Sequence, residues 1–292
     1  MIEELNKICE VKVNDKISNT FKLKSISFAT IKPKNEEELI NVIKILKKHR
    51  QKYMVLGNAS NVILPEYYDG VVIKLDGFKD VNIEEDYVEV GSGTQIAALS
   101  NKLVNMGYAG LDFACGIPGT VGGSVYGNAG CYGSSISEVL ISARVFDGKK
   151  VVELKNKAIK FKYRGSLFKN DKDKKYIILS CKFKIFKSNK DELKALVKER
   201  MEKRVASQDL DHPSNGSVFR NPEGFAAGKL IDDLGLKGYS VNGAMVSYKH
   251  ANFIINNKNA TQEDILKLID YLKEEVKKGY NIDLVLEQEI IK

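Results

Sequence analysis

A chain of 292 residues has room for two domains of ordinary size. With 43% apolar and 29% charged residues it has a globular composition, which excludes a disordered chain. The net charge of +8 would suit nucleic acid, but the lysines are spread along the chain, as at Lys44, Lys47, Lys48 and over 169–175, with no RNA-binding or helix-turn-helix pattern, so nucleic acid is set aside.

Leu39, Val42, Ile43 and Leu46 make one apolar stripe and predict a helix over 35–50, with Asn35 as its cap and Glu38 at the capping-box position. Short strands are expected at Tyr53–Leu56, into Ile63, at Val71–Leu75 and at Tyr87–Val90. Gly57-Asn58-Ala59-Ser60-Asn61 links the first two, and Gly91-Ser92-Gly93 turns into a helix over Thr94–Asn105. Seven glycines then fall between Gly116 and Gly133, a density that reads as loop because each glycine in a helix or strand interior costs backbone entropy.

A hairpin follows, Ala143–Phe146 and Val151–Leu154 about an Asp147-Gly148 turn, and then a long strand, Tyr176–Phe186. A composition shift over 187–191 marks a boundary. The next helix runs to about Ala206, with Leu193, Leu196, Val197, Met201 and Val205 on one face. Polar Ser207–Asn215 leads into the loop Gly216-Ser217-Val218-Phe219. Thr261 caps a helix with the stripe Ile265, Leu268, Ile269, Leu272 and Val276, expected to end at Gly279, and a last strand spans Ile282–Ile291. The alternation predicts an α+β fold.

No apolar run approaches the ~18 residues a membrane span needs, so no membrane insertion is expected. The start, with acids at Glu3 and Glu4 and no apolar core, carries no signal-peptide pattern, and a cytoplasmic protein is expected. Cys9, Cys115, Cys131 and Cys181 are far apart and read as reduced thiols. His49, His212 and His250 lack ligand spacing, so a metal-free site is expected.

Glycine removes the Cβ that keeps a ligand from backbone N–H groups, so the Gly116–Gly133 stretch suits an anion-binding nest as well as a tight structural loop. It is not a Walker loop, since no Gly-Lys-Ser/Thr follows. Nor is there a Rossmann fingerprint: Gly91-Ser92-Gly93 has Ile96 where the third glycine belongs. Gly57–Asn61, after a strand, is a second small-residue loop that a plain turn would explain equally well alone. Two such loops in one half of the chain favour a ligand with two phosphates.

The loop pair is similar to the FAD-binding fold of the vanillyl-alcohol-oxidase and para-cresol-methylhydroxylase (PCMH) type. From about Asn19 onward the chain resembles the UDP-N-acetylenolpyruvoylglucosamine reductase family, in its shorter variety. The resemblance rests on Val55–Asn61, Gly110–Gly123, Asn128-Ala129-Gly130, Tyr163-Arg164, Gly216–Phe219, Ala227–Ile231 and Lys249–Ile254. It implies a two-part PCMH-type FAD-binding domain over 1–187 (parts about 1–68 and 69–187) and a smaller α+β substrate-binding domain over 188–280. A C-terminal strand, 281–292, is expected to return to the FAD domain.

The same resemblance implies FAD as cofactor, NADPH as co-substrate and a UDP-sugar enolpyruvate as substrate, reduced in a step of peptidoglycan synthesis. The cofactor contacts it implies are Gly57, Asn58, Ala59, Ser60, Asn61, Gly116, Ile117, Pro118, Gly119, Thr120, Gly122, Gly123, Asn128, Ala129 and Gly130. Arg164 is expected to meet the substrate carboxylate, Ser217 to donate a proton and Glu287 to orient or protonate the intermediate. A slip of two residues would exchange Glu287 for Glu289. Tyr163, Arg204 and Asn221 are the further substrate contacts implied.

Two segments depart from the family. Phe21-Lys22-Leu23-Lys24-Ser25-Ile26 stands where relatives carry a Gly-Gly pair, and Ser207 replaces a lysine expected near the substrate diphosphate. Two alternatives stay open: another FAD oxidoreductase of the same fold, and a catalytically impaired relative.

Overall fold

A computed structural model describes residues 1–171 and 175–292; part of the lysine-rich stretch 169–175 lies outside them. The chain divides into two compact units, the first formed by Met1–Val13, Ala29–Asn58 and Gly70–Glu202, the second by Asn14–Phe28, Ala59–Asp69 and Lys203–Lys292. These units are cut differently from the segments expected at 187 and 280. Pieces distant in sequence share a core, which local composition does not register.

In the first unit, helix α1 (Glu36–Lys48) buries Leu39, Val42, Ile43 and Leu46 as expected. Asn35 caps it by accepting the Glu38 N–H, but the Glu38 carboxylate takes the Lys34 N–H at 2.7 Å, so the expected capping box is only half formed. Strand Tyr53–Val55 pairs in parallel with Val71–Ile73. A five-stranded sheet follows in the order Val151–Lys155, Leu140–Phe146, Ile177–Lys184, Tyr87–Gly91, Val81–Ile83. Its hairpin turns over 147–150, where the Asp147 carboxylate accepts the N–H groups of Lys149 and Lys150, both at 2.9 Å. Helix α2 (Ile96–Asn105) lays Ile96, Leu99 and Leu103 into the core beside this sheet, with Val88, Val90 and Phe183.

The glycine-rich stretch is not all loop. Val121–Gly127 is a helix, α3, although three of its seven residues are glycine. Thr120 caps it by accepting the Gly123 N–H at 3.3 Å, and Val121 and Val125 are fully buried. Tertiary packing overrides glycine's weak propensity here, because a Cβ on Gly122 would lie 2.9 Å from that of Ser92.

Helix α4 (Lys190–Ser207) departs from its expected stripe. Leu193 alone is buried, packed with Val104 and Ala109, while Leu196 and Val205 are exposed.

In the second unit, a four-stranded antiparallel sheet has the order Ser214–Ser217, Phe253–Asn256, Ala244–Val246, Ser240–Val241. Helices α5 (Ala227–Asp233) and α6 (Gln262–Tyr280) share its core. Thr261 and Asp264 form a complete capping box, and all five residues of the expected stripe are buried, each contributing about 1.5–3 kcal/mol of transfer free energy. α6 ends one residue beyond Gly279, at Tyr280, with Asn281 in the left-handed conformation. Gly279 instead lets Leu234 approach: its Cβ would sit 2.9 Å from Leu234 Cδ2. The expected last strand shortens to Glu289–Ile290, parallel to Val62–Ile63. No helix among the described residues is long and apolar enough to cross a membrane.

Candidate functional site

Three segments of the first unit converge on Thr120. Gly57 packs so closely that its Cβ would lie 2.6 Å from the Thr120 hydroxyl. The next residue, Asn58, donates to the Pro118 carbonyl at 3.0 Å and pairs its amide with Gln95, whose Nε2 returns a bond at 2.9 Å. The Lys74 ammonium holds the Gly57 carbonyl. From the other side, Gly122 and Val121 donate their N–H groups to the carbonyls of Ser92 (2.9 Å) and Thr94 (2.8 Å).

Gly91-Ser92-Gly93 is therefore more than a link. A Cβ on Gly91 would meet the Phe78 carbonyl oxygen at 2.3 Å and one on Gly93 the Leu75 carbonyl oxygen at 2.0 Å, so backbone runs against backbone at both. Gln95 and Lys74 carry no signal in the sequence, because their partners lie 37 and 17 residues away.

The buried hydroxyls of Ser92, Thr94 and Ser124 find no hydrogen-bond partner among the described residues. Hydroxyls without partners beside a glycine-lined helix start fit a polar, phosphate-bearing group such as FAD. Among the described residues no cluster of three or more His, Cys, Asp or Glu could hold a metal.

Asn128, expected at the cofactor, is 6% exposed and ties the wall together. It ends α3 in the left-handed conformation, gives an N–H to Lys162 O (3.0 Å) and accepts that of Ser137 (3.0 Å). The carbonyl it holds belongs to the turn of Arg164: Lys162 and Gly165 exchange two backbone bonds, 2.9 and 3.1 Å, and Arg164 sits at φ +52°. A non-glycine residue in this region stores strain, a pattern frequent at functional sites. Tyr163, its neighbour, is 59% exposed, with the guanidinium 5.6 Å from its ring centroid. Arg164 lines a pocket of about 580 Å³ with Asn128, Gly130, Cys131, Tyr132 and Lys162.

In the second unit, Ser217 ends a strand and pairs with Phe253, next to Gly216 at φ +73°. Arg220 donates its N–H to Val285 O at 2.9 Å and Glu287 its own to Val218 O at 2.8 Å, setting Phe219 opposite Leu286. By this register Ser217 stands opposite Gln288, and Glu287 opposite Val218. Gln288 is 3% exposed and donates to the carbonyls of Gly216 and Ser217, both at 3.3 Å. Its role was not visible in the sequence.

Asn61 joins the same segment, giving its side-chain N–H to Glu287 O (3.4 Å) and accepting the Glu289 N–H at its carbonyl (2.9 Å). Ala59 is buried at φ +52°, and its carbonyl accepts the Thr20 hydroxyl at 3.5 Å; Ser60 between them is partly buried. Asn252 braces the serine strand by exchanging two bonds with the Phe219 backbone, at 2.9 and 2.8 Å. Asn221 spends its side-chain oxygen on the Ala227 N–H at the start of α5 (3.1 Å).

The two departures have local accounts. At the first, Lys22 turns the chain at φ +53°, and Asn19 holds the turn by accepting the Leu23 N–H at 2.9 Å and donating to the carbonyls of Ile17 and Leu23. At the second, Ser207 bonds the Lys203 carbonyl at 2.8 Å in the last turn of α4, which also carries half-buried Arg204. Nearby Asp209 accepts from Ser247 and pairs with His212, at 2.7 and 2.9 Å. Burial opposes its ionisation, but these bonds outweigh it and hold the carboxyl below the usual range.

Residues 28–153 match a model of an FAD-binding domain, and residues 208–291 a model of the C-terminal domain of UDP-N-acetylenolpyruvoylglucosamine reductase. A reductase of that name from Fervidobacterium nodosum is 39% identical over 97% of this chain and 93% of its own. One from Clostridium botulinum is 38% identical over 100% of this chain and 96% of its own. The crystal structure of UDP-N-acetylenolpyruvylglucosamine reductase from Thermus caldophilus superposes with a TM-score of 0.82 at 29% identity, covering 97% of this chain and 99% of that one. A BBE-like protein from Physcomitrella patens, at 16% identity and a TM-score of 0.50 over 64% of this chain and 44% of its own, shares the fold alone.

Proposed function

Because the chain belongs to the UDP-N-acetylenolpyruvoylglucosamine reductase family, we propose that it reduces UDP-N-acetylglucosamine enolpyruvate to UDP-N-acetylmuramate, with NADPH as hydride source and FAD as carrier. The observation that carries this reading is the start of α3, where Gly57 packs on Thr120 and Gly122 on Ser92 while the buried hydroxyls of Ser92, Thr94 and Ser124 find no partner among the described residues. Bound there, FAD supplies a group that takes a hydride from one substrate and passes it to another. Gly57, Asn58, Gly116, Ile117, Pro118, Gly119, Thr120, Gly122, Gly123, Asn128, Ala129 and Gly130 would hold it. The family motif adds Ala59, Ser60 and Asn61 to the proposed cofactor contacts.

The remaining residues act on the enolpyruvyl substrate. Arg164 presents a permanent cation in fork geometry to the substrate carboxylate, where charge accumulates when C3 receives the hydride. Tyr163 and Arg204 bind the rest of the sugar nucleotide, with Asn221 toward its diphosphate. The Ser217 hydroxyl delivers the proton to C2, and Glu287 orients the enolic intermediate for that transfer. A serine hydroxyl is a weak acid, so this step draws on the strong basicity of the carbanion.

The reading is tested by purified protein with FAD. NADPH oxidation should require the enolpyruvyl sugar nucleotide, and the product should be heavier by two hydrogens. A protein that binds no FAD, or that oxidises NADPH equally fast without the sugar nucleotide, would refute it.

A further inference from the structure

The hairpin Gly130-Cys131-Tyr132-Gly133-Ser134-Ser135 forms one wall of the Arg164 pocket. Its two-residue turn places Tyr132 at φ +54° and Gly133 at φ +82°. Positive φ at both central positions is a type I′ turn, which favours Asn-Gly, and a bulky residue at the first position is rare. A specific contact offsets this preference. The Tyr132 hydroxyl donates to the Arg200 carbonyl at 2.8 Å, and its ring lies 5.1 Å from the Arg200 guanidinium.

Arg200 is itself fixed. Its Nη1 meets Asp112 Oδ2 at 2.6 Å, with the two side chains 16% and 17% exposed. The other Asp112 oxygen accepts the Gly110 N–H at 3.0 Å. At the base of the hairpin, a Cβ on Gly130 would lie 2.7 Å from the Ser134 carbonyl oxygen and 3.3 Å from Arg164 Nη1. The guanidinium thus passes directly over the hairpin backbone. A continuous chain of contacts runs from Asp112 through Arg200 and Tyr132 to the strand beneath Arg164.

We propose that Arg200 and Tyr132 are positioning residues: they clamp the 130–135 hairpin so that the pocket holds the Arg164 guanidinium where it meets a substrate carboxylate. This rests on the function proposed above. Neither residue touches the reacting atoms, and the clamp acts through Arg164.

The informative variant is Tyr132→Asn, because Asn-Gly suits the turn better than Tyr-Gly and the hairpin keeps its fold while losing the clamp. FAD content and the rate of flavin reduction by NADPH stay at wild-type values. The KM for the enolpyruvyl substrate rises about fivefold to tenfold, the scale of one or two lost hydrogen bonds. Tyr132→Phe, which keeps the ring over the guanidinium, recovers part of the loss. A wild-type KM in Tyr132→Asn, or a rise matched by lost flavin, would overturn the clamp.

Amide hydrogen exchange gives a readout that needs no turnover. In Tyr132→Asn, which removes both the hydrogen bond to the Arg200 carbonyl and the ring over its guanidinium, residues 130–135 exchange at least about tenfold faster than in the wild type. Unchanged exchange overturns the clamp. A wild-type enzyme that fails to turn over strikes the functional reading instead and leaves the exchange result to decide this one.

Discussion

Gly57 and Thr120 are in contact at a distance that admits no Cβ: one placed on Gly57 would lie 2.6 Å from the threonine hydroxyl. That hydroxyl is already the cap of α3. Gly57 and the glycine-rich stretch are therefore mechanically one, and the helix start depends on a residue 63 positions upstream, the separation of Gly57 from Thr120.

Gly57→Ala must displace the Thr120 hydroxyl from the Gly123 N–H. Loss of a cap costs about 1 kcal/mol, so the FAD dissociation constant should rise about fivefold by flavin fluorescence titration. Thr120→Ala loses the same cap, and the double variant should lose less than the two single changes together. Additive losses would show that the contact is not shared.

The register of the C-terminal segment separates two glutamates. Glu287 lies opposite Val218, next to the proton-donor candidate, whereas Glu289 is bonded through its N–H to Asn61. Glu287→Gln should lower turnover by about 100-fold, on the scale of general acid–base catalysis, and Glu289→Gln by far less. The reverse order in steady-state rates would move the role two residues along the strand.

His250 gives a pH dependence with a definite sign. Burial pushes its pKa below the ordinary histidine value, and its Nδ1 accepts the Asn252 N–H at 3.2 Å, which an imidazolium cannot do. A base whose folded pKa is depressed is fully stabilising above its unfolded value of about 6.5, and that stability is lost as pH falls toward the folded pKa. Urea midpoints should therefore fall as pH drops below about 6.5. In His250→Gln that part of the fall should disappear. An unchanged fall would assign it to other groups.

The elements that were legible in the sequence are those whose local signals agree. Helix α6 has a capping pair, Thr261 and Asp264, and a stripe of five residues at helical spacing, all of which it buries. α4 has a comparable stripe yet buries only Leu193, because periodicity reports a face and not what covers it. Glycine density concealed α3, since the propensity penalty is local while the Gly122–Ser92 approach that offsets it is tertiary.

The candidate site divides in the same way. Gly57, Thr120, Arg164 and Ser217 were visible through small-residue loops and the family motifs. Gln95, Lys74, Gln288 and the Arg200–Asp112 pair were not, because each works through a partner distant in sequence. Asn128 stands in a family motif, and its amide holds the turn of Arg164.

On the proposed function, the enolpyruvyl sugar nucleotide reoxidises the bound flavin with a proton from Ser217. The most direct measurement is anaerobic mixing of the NADPH-reduced protein with that substrate, followed at the flavin absorbance. In the wild type the oxidised spectrum should return. In Ser217→Ala reduction by NADPH should be unaffected, while reoxidation slows by about 100-fold or more. A wild-type flavin that stays reduced until oxygen is admitted would contradict the account and favour an oxidase of the same fold. Equal reoxidation rates in the two proteins would remove Ser217 as the donor.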